Sequence, residues 1–280
     1  MLMQNDLKPI MGQAPMTYLL EIKTVQSSTF KLLIDALKEI LIETNLEIDE
    51  TGLRVIALDA SHIVLCHLKL DASQFESFKC TQKLFVGINM LKLHMLIKTV
   101  GSNDVLTLFI EESDPNKLGI QIENPEKNVK TIYRLNILDI NVVNITIPPA
   151  DFQVTMTMAS VNFQKIIRDM HNLADFIEIR NVENQLCFAC KGDFCTQETI
   201  LGTDKSSGLS ITRSNEGDEI IQGVFSLKYM AMFTKFTNLC TTVEIFLKNN
   251  FPLILRYRVA SLGVISLVLA QQDVEGINAA

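Results

Sequence analysis

Glycine and proline are scarce, 12 and 7 in 280 residues. With no low-complexity tract either, this excludes a collagen-like or disordered chain. Also missing is any run of about 18 apolar residues, the length needed to cross a bilayer. The first 15 residues hold Lys8, Pro9 and Pro15 but no apolar stretch of secretory-signal length. Residues 1–16 therefore read as a loose extension ahead of a soluble protein with no membrane partner. Six cysteines without an export signal read as reduced intracellular thiols, and Asn144-Ile-Thr146 reads as a chance glycosylation match.

Signatures of chemistry are missing too. His62, His67, His94 and His171 show no metal-binding spacing, and no phosphate loop, nucleophile elbow or dinucleotide fingerprint occurs. Cys187-Phe-Ala-Cys190 imitates half a zinc site, but its neighbours read as a strand, on which residues three apart point to opposite faces. Glu216-Gly-Asp-Glu219 imitates a carboxylate cluster, yet its Ser/Asn/Gly-rich surroundings mark a solvated loop. The chain is thus expected to carry no catalytic residue, no metal and no cofactor. A hydrolase or nuclease is the enzyme alternative, and it would require Mg-dependent turnover that disappears when those acids are changed.

What is present is a large apolar fraction, 48%, arranged periodically. From Ser27 to Glu43, Phe30, Leu33, Ile34, Leu37, Ile40 and Leu41 follow three- and four-residue spacing, which predicts an amphipathic helix with Ser27 or Ser28 as N-cap. Strands are expected over Leu46 to Ile48, Leu53 to Leu58 and Ile63 to Leu70. A second helix is expected from Asn89 to Val100, with Leu91, Met95 and Leu96 buried and Gly101 as its stop. Strands follow over Val105 to Glu111, Leu118 to Glu123 and Val129 to Leu138.

Then the order begins again. Ser160 to Met170 repeats the first helix with Phe163 in the place of Phe30, and Phe225 to Phe236 repeats the second with Lys235 in the place of Lys98, at offsets of 133 and 137 residues. Two landmarks recurring at nearly one offset imply two copies of one unit. The fold class is a duplicated α+β fold, each domain having two helices packed on antiparallel sheets. The expected divisions are an extension (1–16), a first domain (17–137), a connecting linker (138–150) and a second domain (151–280). The linker, from Leu138 to Pro149, is too apolar to be a free tether, so one side of it should rest on a domain.

The net charge of −7 is the wrong sign for a protein that coats nucleic acid, yet every expected helix carries bases on its polar side. Lys31 and Lys38 are seven apart, as are Lys228 and Lys235; Lys92 with Lys98 and Lys165 with Arg168 complete the set. Lysines on a wet helix face are ordinary solvation, and Asp35 and Glu39 are placed to pair with Lys31. Recurrence in both copies of an acidic chain favours contact with a nucleic-acid backbone, salt-sensitive and blind to sequence.

At these residues the chain resembles the proliferating cell nuclear antigen family. The resemblance rests on Leu53-Arg-Val-Ile-Ala-Leu-Asp-Ala-Ser-His-Ile-Val-Leu-Cys-His-Leu68, on Leu84-Phe-Val-Gly-Ile-Asn89 followed by Lys98 and Gly101, on Phe163 with Ile166 to Asp169, on Phe233-Thr-Lys235, and on Pro252-Leu with Tyr257, Ala260 and Gly263. The resemblance implies a DNA sliding clamp: a homotrimeric ring with helices lining the hole, tethering DNA polymerase, clamp loader and other replication proteins to duplex DNA. DNA contact is then expected at Lys31, Lys38, Lys98, Lys165, Arg168, Lys228 and Lys235, with Lys79 and Lys92 added. Leu32 and Met95 stand where the family carries further lysines. Partner peptides would dock beneath the linker against Leu58, Ile63, Ile145, Ile147, Pro252, Val268 and Ala270, and ring closure would join Val129–Ile137 to Cys195–Leu201. The nucleus or a viral replication compartment is the expected location. A subunit of a heterotrimeric checkpoint clamp and a monomeric viral-type processivity factor are the alternatives.

Overall fold

Apolar side chains at helical and at alternating spacing fold back on one another in two copies of a single pattern. A computed structural model describes residues 17–143, 145, 151–203, 208–213 and 220–272. The first copy runs β1 Tyr18–Thr24, α1 Ser27–Leu37, β2 Glu43–Asp49, β3 Gly52–Leu58, β4 Val64–Asp71, β5 Ser77–Cys80, β6 Leu84–Asn89, α2 Met90–Ile97, β7 Val105–Glu111, β8 Lys117–Asn124 and β9 Val129–Asn136. The second runs β10 Val154–Ala159, α3 Ser160–His171, β11 Phe176–Val182, β12 Gln185–Lys191, β13 Thr196–Gly202, β14 Ser210–Arg213, β15 Ile220–Ser226, α4 Leu227–Phe233, β16 Thr242–Leu247, β17 Leu253–Val259 and β18 Gly263–Leu269. A 3₁₀ segment, Thr234–Leu239, continues α4.

All strand pairs are antiparallel, and the pairing duplicates as well. In the first copy β5, β1, β7, β8 and β9 form one run and β6, β2, β3 and β4 another; in the second, β14, β10, β16, β17 and β18 match the first run and β15, β11, β12 and β13 the second. The copies join where β18 pairs with β4, from Gly263↔Leu70 to Leu269↔Val64, which fuses two runs into a nine-stranded sheet. Among the described residues six strands end the three sheets, β5, β6, β9, β13, β14 and β15; of these, β9 and β13 hold the positions in their runs that β18 and β4 hold at the joint.

The helices form one layer over the sheets: α1 packs on α2 and on the 3₁₀ segment, and α3 packs on α4 and the same segment. Phe30, Leu33, Ile34 and Leu37 of α1 and Phe163, Ile167 and Met170 of α3 enter the core. Each such side chain contributes about 1.5–3 kcal/mol by leaving water. A second equivalence is polar. Ser27 and Ser160 are both fully buried; Ser27 Oγ donates to the carbonyls of Gly101 and Asp104 at 3.2 and 2.6 Å, and Ser160 Oγ to that of Cys240 at 2.7 Å.

Several expectations need correction. Gln26, not Ser27 or Ser28, is the cap of α1, because the Ser27 hydroxyl donates to a neighbouring segment and never turns back to the helix amides. α1 ends at Leu37, with Ile40 and Leu41 buried in the turn beyond. In α2 the buried positions are Met90, Leu93 and Ile97, while Leu91 and Met95 are 50% and 53% exposed. Asn89 caps the helix, accepting from the Lys92 amide at 3.1 Å, and the face that packs on α1 and β6 is the one carrying Met90, Leu93 and Ile97.

Candidate nucleic-acid interface and linker groove

The nine candidate basic residues do not share one environment. Lys31 on α1 donates to the carbonyl of Val100 at 2.6 Å, placing its charge at the C-terminal end of α2, where exposed carbonyls favour a cation. Asp35 and Glu39 leave Lys31 alone and hold Lys38 instead, at 3.0 and 2.6 Å. The Lys38 side chain is 16% exposed, and the hydrogen bond it donates to Glu39, aided by Asp35 against the cost of burial, holds its ammonium above the usual lysine range. Asp35 also reaches His94 Nε2 at 3.0 Å.

Lys92 on α2 and Lys98 just past its end, Lys165 on α3, Lys228 on α4 and Lys235 just beyond it are exposed, with no carboxylate in ion-pair range among the described residues. Arg168 on α3 lies 3.8 Å from Asp169 and stays 70% exposed, a pairing of little strength. Lys79 belongs elsewhere. It sits on β5 opposite the core-facing Phe78, beside Glu21 at 3.7 Å, so the structure does not bring it to the helix layer.

The second site is built by a turn and the linker. In Asp59-Ala-Ser-His62 the carboxylate of Asp59, 8% exposed, accepts the amides of Ser61, Ile63 and Val64 at 3.1, 2.8 and 2.7 Å as well as the Ser61 hydroxyl. Burial opposes ionisation of Asp59, but these donors outweigh it and hold the carboxyl below its usual range. His62 takes φ 60° to complete the turn, and Ser61 Oγ lies 2.6 Å from the hydroxyl of Tyr229 in the second copy.

Leu138 donates its amide to the Gly87 carbonyl at 2.8 Å, and a Cβ at Gly87 would lie 2.2 Å from the Leu138 oxygen, so only glycine lets the linker lie this close to β6. Asn45 Nδ2 then donates to the Ile140 carbonyl at 3.0 Å. Between the pinned linker and the β2, β3 and β6 strands opens a groove of about 670 Å³, lined by Ile56, Leu58, His62, Lys83, Phe85 and the linker residues Ile140 to Val143 and Ile145, with Glu43 and Glu47 beside them.

Of the expected peptide contacts, Leu58 and Ile145 line this groove. Ile63, Pro252, Val268 and Ala270 form a half-buried strip next to it, tied by the Ala270 amide donating to the Ile63 carbonyl at 3.2 Å. Ile147 lies outside the described residues, as does Glu216-Gly-Asp-Glu219. Sequence reasoning missed Phe85, 42% exposed; its alternation with buried Val86 on β6 was the available signal. Among the described residues no group of three or more His, Cys, Asp or Glu could hold a metal. Cys187 and Cys190 sit on one strand, and the Cys187 thiol donates to Glu198 at 3.0 Å.

Duplicated helix-and-sheet copies and a single helix layer bearing exposed cations have the build of the DNA sliding clamps. Comparison with known proteins supplies the family. Models of the N-terminal and C-terminal domains of proliferating cell nuclear antigen match residues 19–144 and 146–272. The chain is 36% identical over 256 residues, 90% of its length and 96% of the other's, to the probable DNA polymerase sliding clamp 1 of Paramecium bursaria Chlorella virus 1. It is 28% identical to the proliferating cell nuclear antigen of Chaetomium thermophilum over 90% of this chain and 97% of that one. The crystal structure of proliferating cellular nuclear antigen from Entamoeba histolytica superposes with a TM-score of 0.84 at 25% identity, covering 92% of this chain and all of the other. The chain belongs to the proliferating cell nuclear antigen family.

Proposed function

We propose that three copies of this chain close head to tail into a ring around duplex DNA and tether a DNA polymerase, a clamp loader and other replication proteins to it without catalysing a reaction themselves. The observation that carries this reading is the β18–β4 junction. By the internal duplication β9 is the counterpart of β18 and β13 the counterpart of β4, so β9 of one copy meeting β13 of the next repeats between chains the joint already made within one. Both open strands expose apolar side chains, Val129 and Ile132 on β9 and Ile200 on β13, a hazard unless an edge is paired. Their exposed charges, Lys130 and Arg134 on β9 and Glu198 on β13, are each paired within the chain, with Glu123, Glu111 and Arg180, so the apolar side chains carry this argument.

The ring reading also accounts for an acidic clamp. Enclosure keeps the protein on DNA, so Lys92, Lys98, Lys165, Arg168, Lys228 and Lys235 need only weak phosphate contacts that exchange during sliding. Partner proteins would insert a short helical turn into the groove beneath the linker. A replicating nucleus or a virus-made replication compartment both fit the relatives.

Light scattering is expected to give a mass near three chains of 31.5 kDa each, and Ile132→Arg with Ile200→Arg should release single chains that no longer stay on nicked circular DNA. Single chains at micromolar concentration in the unaltered protein would remove the ring reading. Retention on circular DNA that collapses in moderate salt would instead favour a monomer held by charge alone.

A further inference from the structure

Residues 1–16 precede β1 and lie ahead of the region matched by the family model, which begins at residue 19. Their composition suits a ligand better than a solvated tail. Leu2, Met3, Leu7, Ile10, Met11 and Met16 are apolar, against one acid, Asp6, and one base, Lys8. Leu7 on one side of Pro9 and Ile10 and Met11 on the other are apolar anchors, with Lys8 biased by the proline toward extended backbone. Pro9 carries the φ and the missing amide that a first helical turn accepts.

The linker groove has the matching chemistry. Leu58, Phe85, Val142 and Val143 present exposed apolar surface. At its rim Glu43 accepts from Asn89 Nδ2 at 3.3 Å and meets no cation in ion-pair range among the described residues. Lys8, next to Leu7, has the complementary charge.

The point of attachment is close. The Glu112 amide donates to the Thr17 carbonyl at 3.1 Å and the Thr81 amide to the Leu19 carbonyl at 3.1 Å, and two residues after Thr81 comes Lys83, which lines the groove. The six residue-to-residue steps from Met11 to Thr17 span up to roughly 20 Å when extended, enough to turn back from the start of β1 to that mouth.

We propose that residues 7–11 are a tethered ligand of the linker groove in their own chain, so that every partner peptide must displace them. This rests on reading the groove as a peptide site. A short tether gives an effective concentration on the order of 1 mM, so an intrinsic dissociation constant of about 0.1 mM would lower the affinity of any competitor about tenfold. The segment would then act as a threshold that admits strong partner motifs and turns weak ones away.

The test compares the full-length protein with its Ile10→Asp/Met11→Asp variant, both shown by thermal melting to keep the same stability. A fluorescent synthetic peptide copying residues 4–14 is titrated into each. The variant is expected to bind it about tenfold more tightly, Leu58→Asp/Phe85→Asp should abolish binding to either, and the linker amides of Ile140 to Val143 should exchange with solvent faster in the variant than in the unaltered protein. Equal affinity together with equal exchange overturns the inference. A difference that grows with protein concentration overturns its same-chain form and assigns the segment to a neighbouring copy. A second probe, a helical-turn peptide with one aliphatic and two aromatic anchors, separates the two readings. If it binds and Leu58→Asp blocks it while the 4–14 peptide fails, only the inference falls; if neither binds, the groove reading falls with it.

Discussion

The helix walls of the two copies share a fold and differ in what their charges do. In the first, Lys31 is tied to the Val100 carbonyl, Lys38 is enclosed by Asp35 and Glu39, and α2 turns Leu91 and Met95 outward, leaving Lys92 and Lys98 as the free cations. In the second, Lys165, Lys228 and Lys235 have no acidic partner in range among the described residues, and Arg168 has only a distant one. A count of basic residues on helix faces therefore overstates the first wall. Electrostatic contact with DNA depends on charges that are not already neutralised, so the second copy should carry most of the grip.

Charge reversal in the second wall should break this asymmetry most severely. Lys165→Glu, Lys228→Glu and Lys235→Glu together are expected to lower retention on duplex DNA on the order of 100-fold at 0.1 M salt and to flatten the slope of log affinity against log salt by about 3, whereas Lys31→Glu with Lys38→Glu should change that slope by under 1. Equal losses from the two walls in a salt titration would end the comparison. Stability should show the opposite ranking. Lys31→Met removes a charged donor from a helix end and is expected to cost about 1–2 kcal/mol in chemical denaturation, against less than about 0.5 kcal/mol for Lys165→Met.

The smallest effect should come from making the first wall resemble the second. Met95→Lys adds a free cation to α2 and should steepen the salt slope by about 1 without changing stability by more than about 0.5 kcal/mol.

The turns that follow β3 and β12 differ in the same spirit. The first is closed by the Asp59 carboxylate and the second by backbone alone, Gly192 donating to the Cys195 carbonyl at 2.9 Å. Because Asp59 is held below the usual carboxyl range, its contribution is complete above that range and is lost as pH falls through the lowered value. Asp59→Asn should weaken the fold by roughly 2 kcal/mol at neutral pH, and the difference between variant and parent should shrink in acid melts. A constant difference from pH 7 down to pH 2 would contradict this account.

The duplication was legible because it is written in repeating core positions: Phe30 and Phe163 are core residues of equivalent helices, and both copies put a buried serine at the helix start. The bases were legible as residues but not as free or engaged charges. Which acid reaches Lys38, and that Lys31 bends toward a carbonyl 69 positions away in sequence, depends on how α1 packs against α2. The rotation of α2 was hidden for a similar reason. Leu91, Leu93, Met95, Leu96 and Ile97 offer two apolar faces, and packing against α1 and β6 decides between them. The groove was half visible, since Leu58 could be assigned, but Phe85 became a lining residue only once Gly87 pinned the linker across β6.

Nine strands bonded side by side from β14 to β6 give each protomer a rigid arc. Strain applied around the proposed ring would be shared within a chain by seven register positions at β18 and β4, held by covalent continuity on both sides. In the proposed ring the β9–β13 abutments between chains would lack that tether. Mechanical opening should therefore begin at those abutments, while the arc itself swings as one stiff piece.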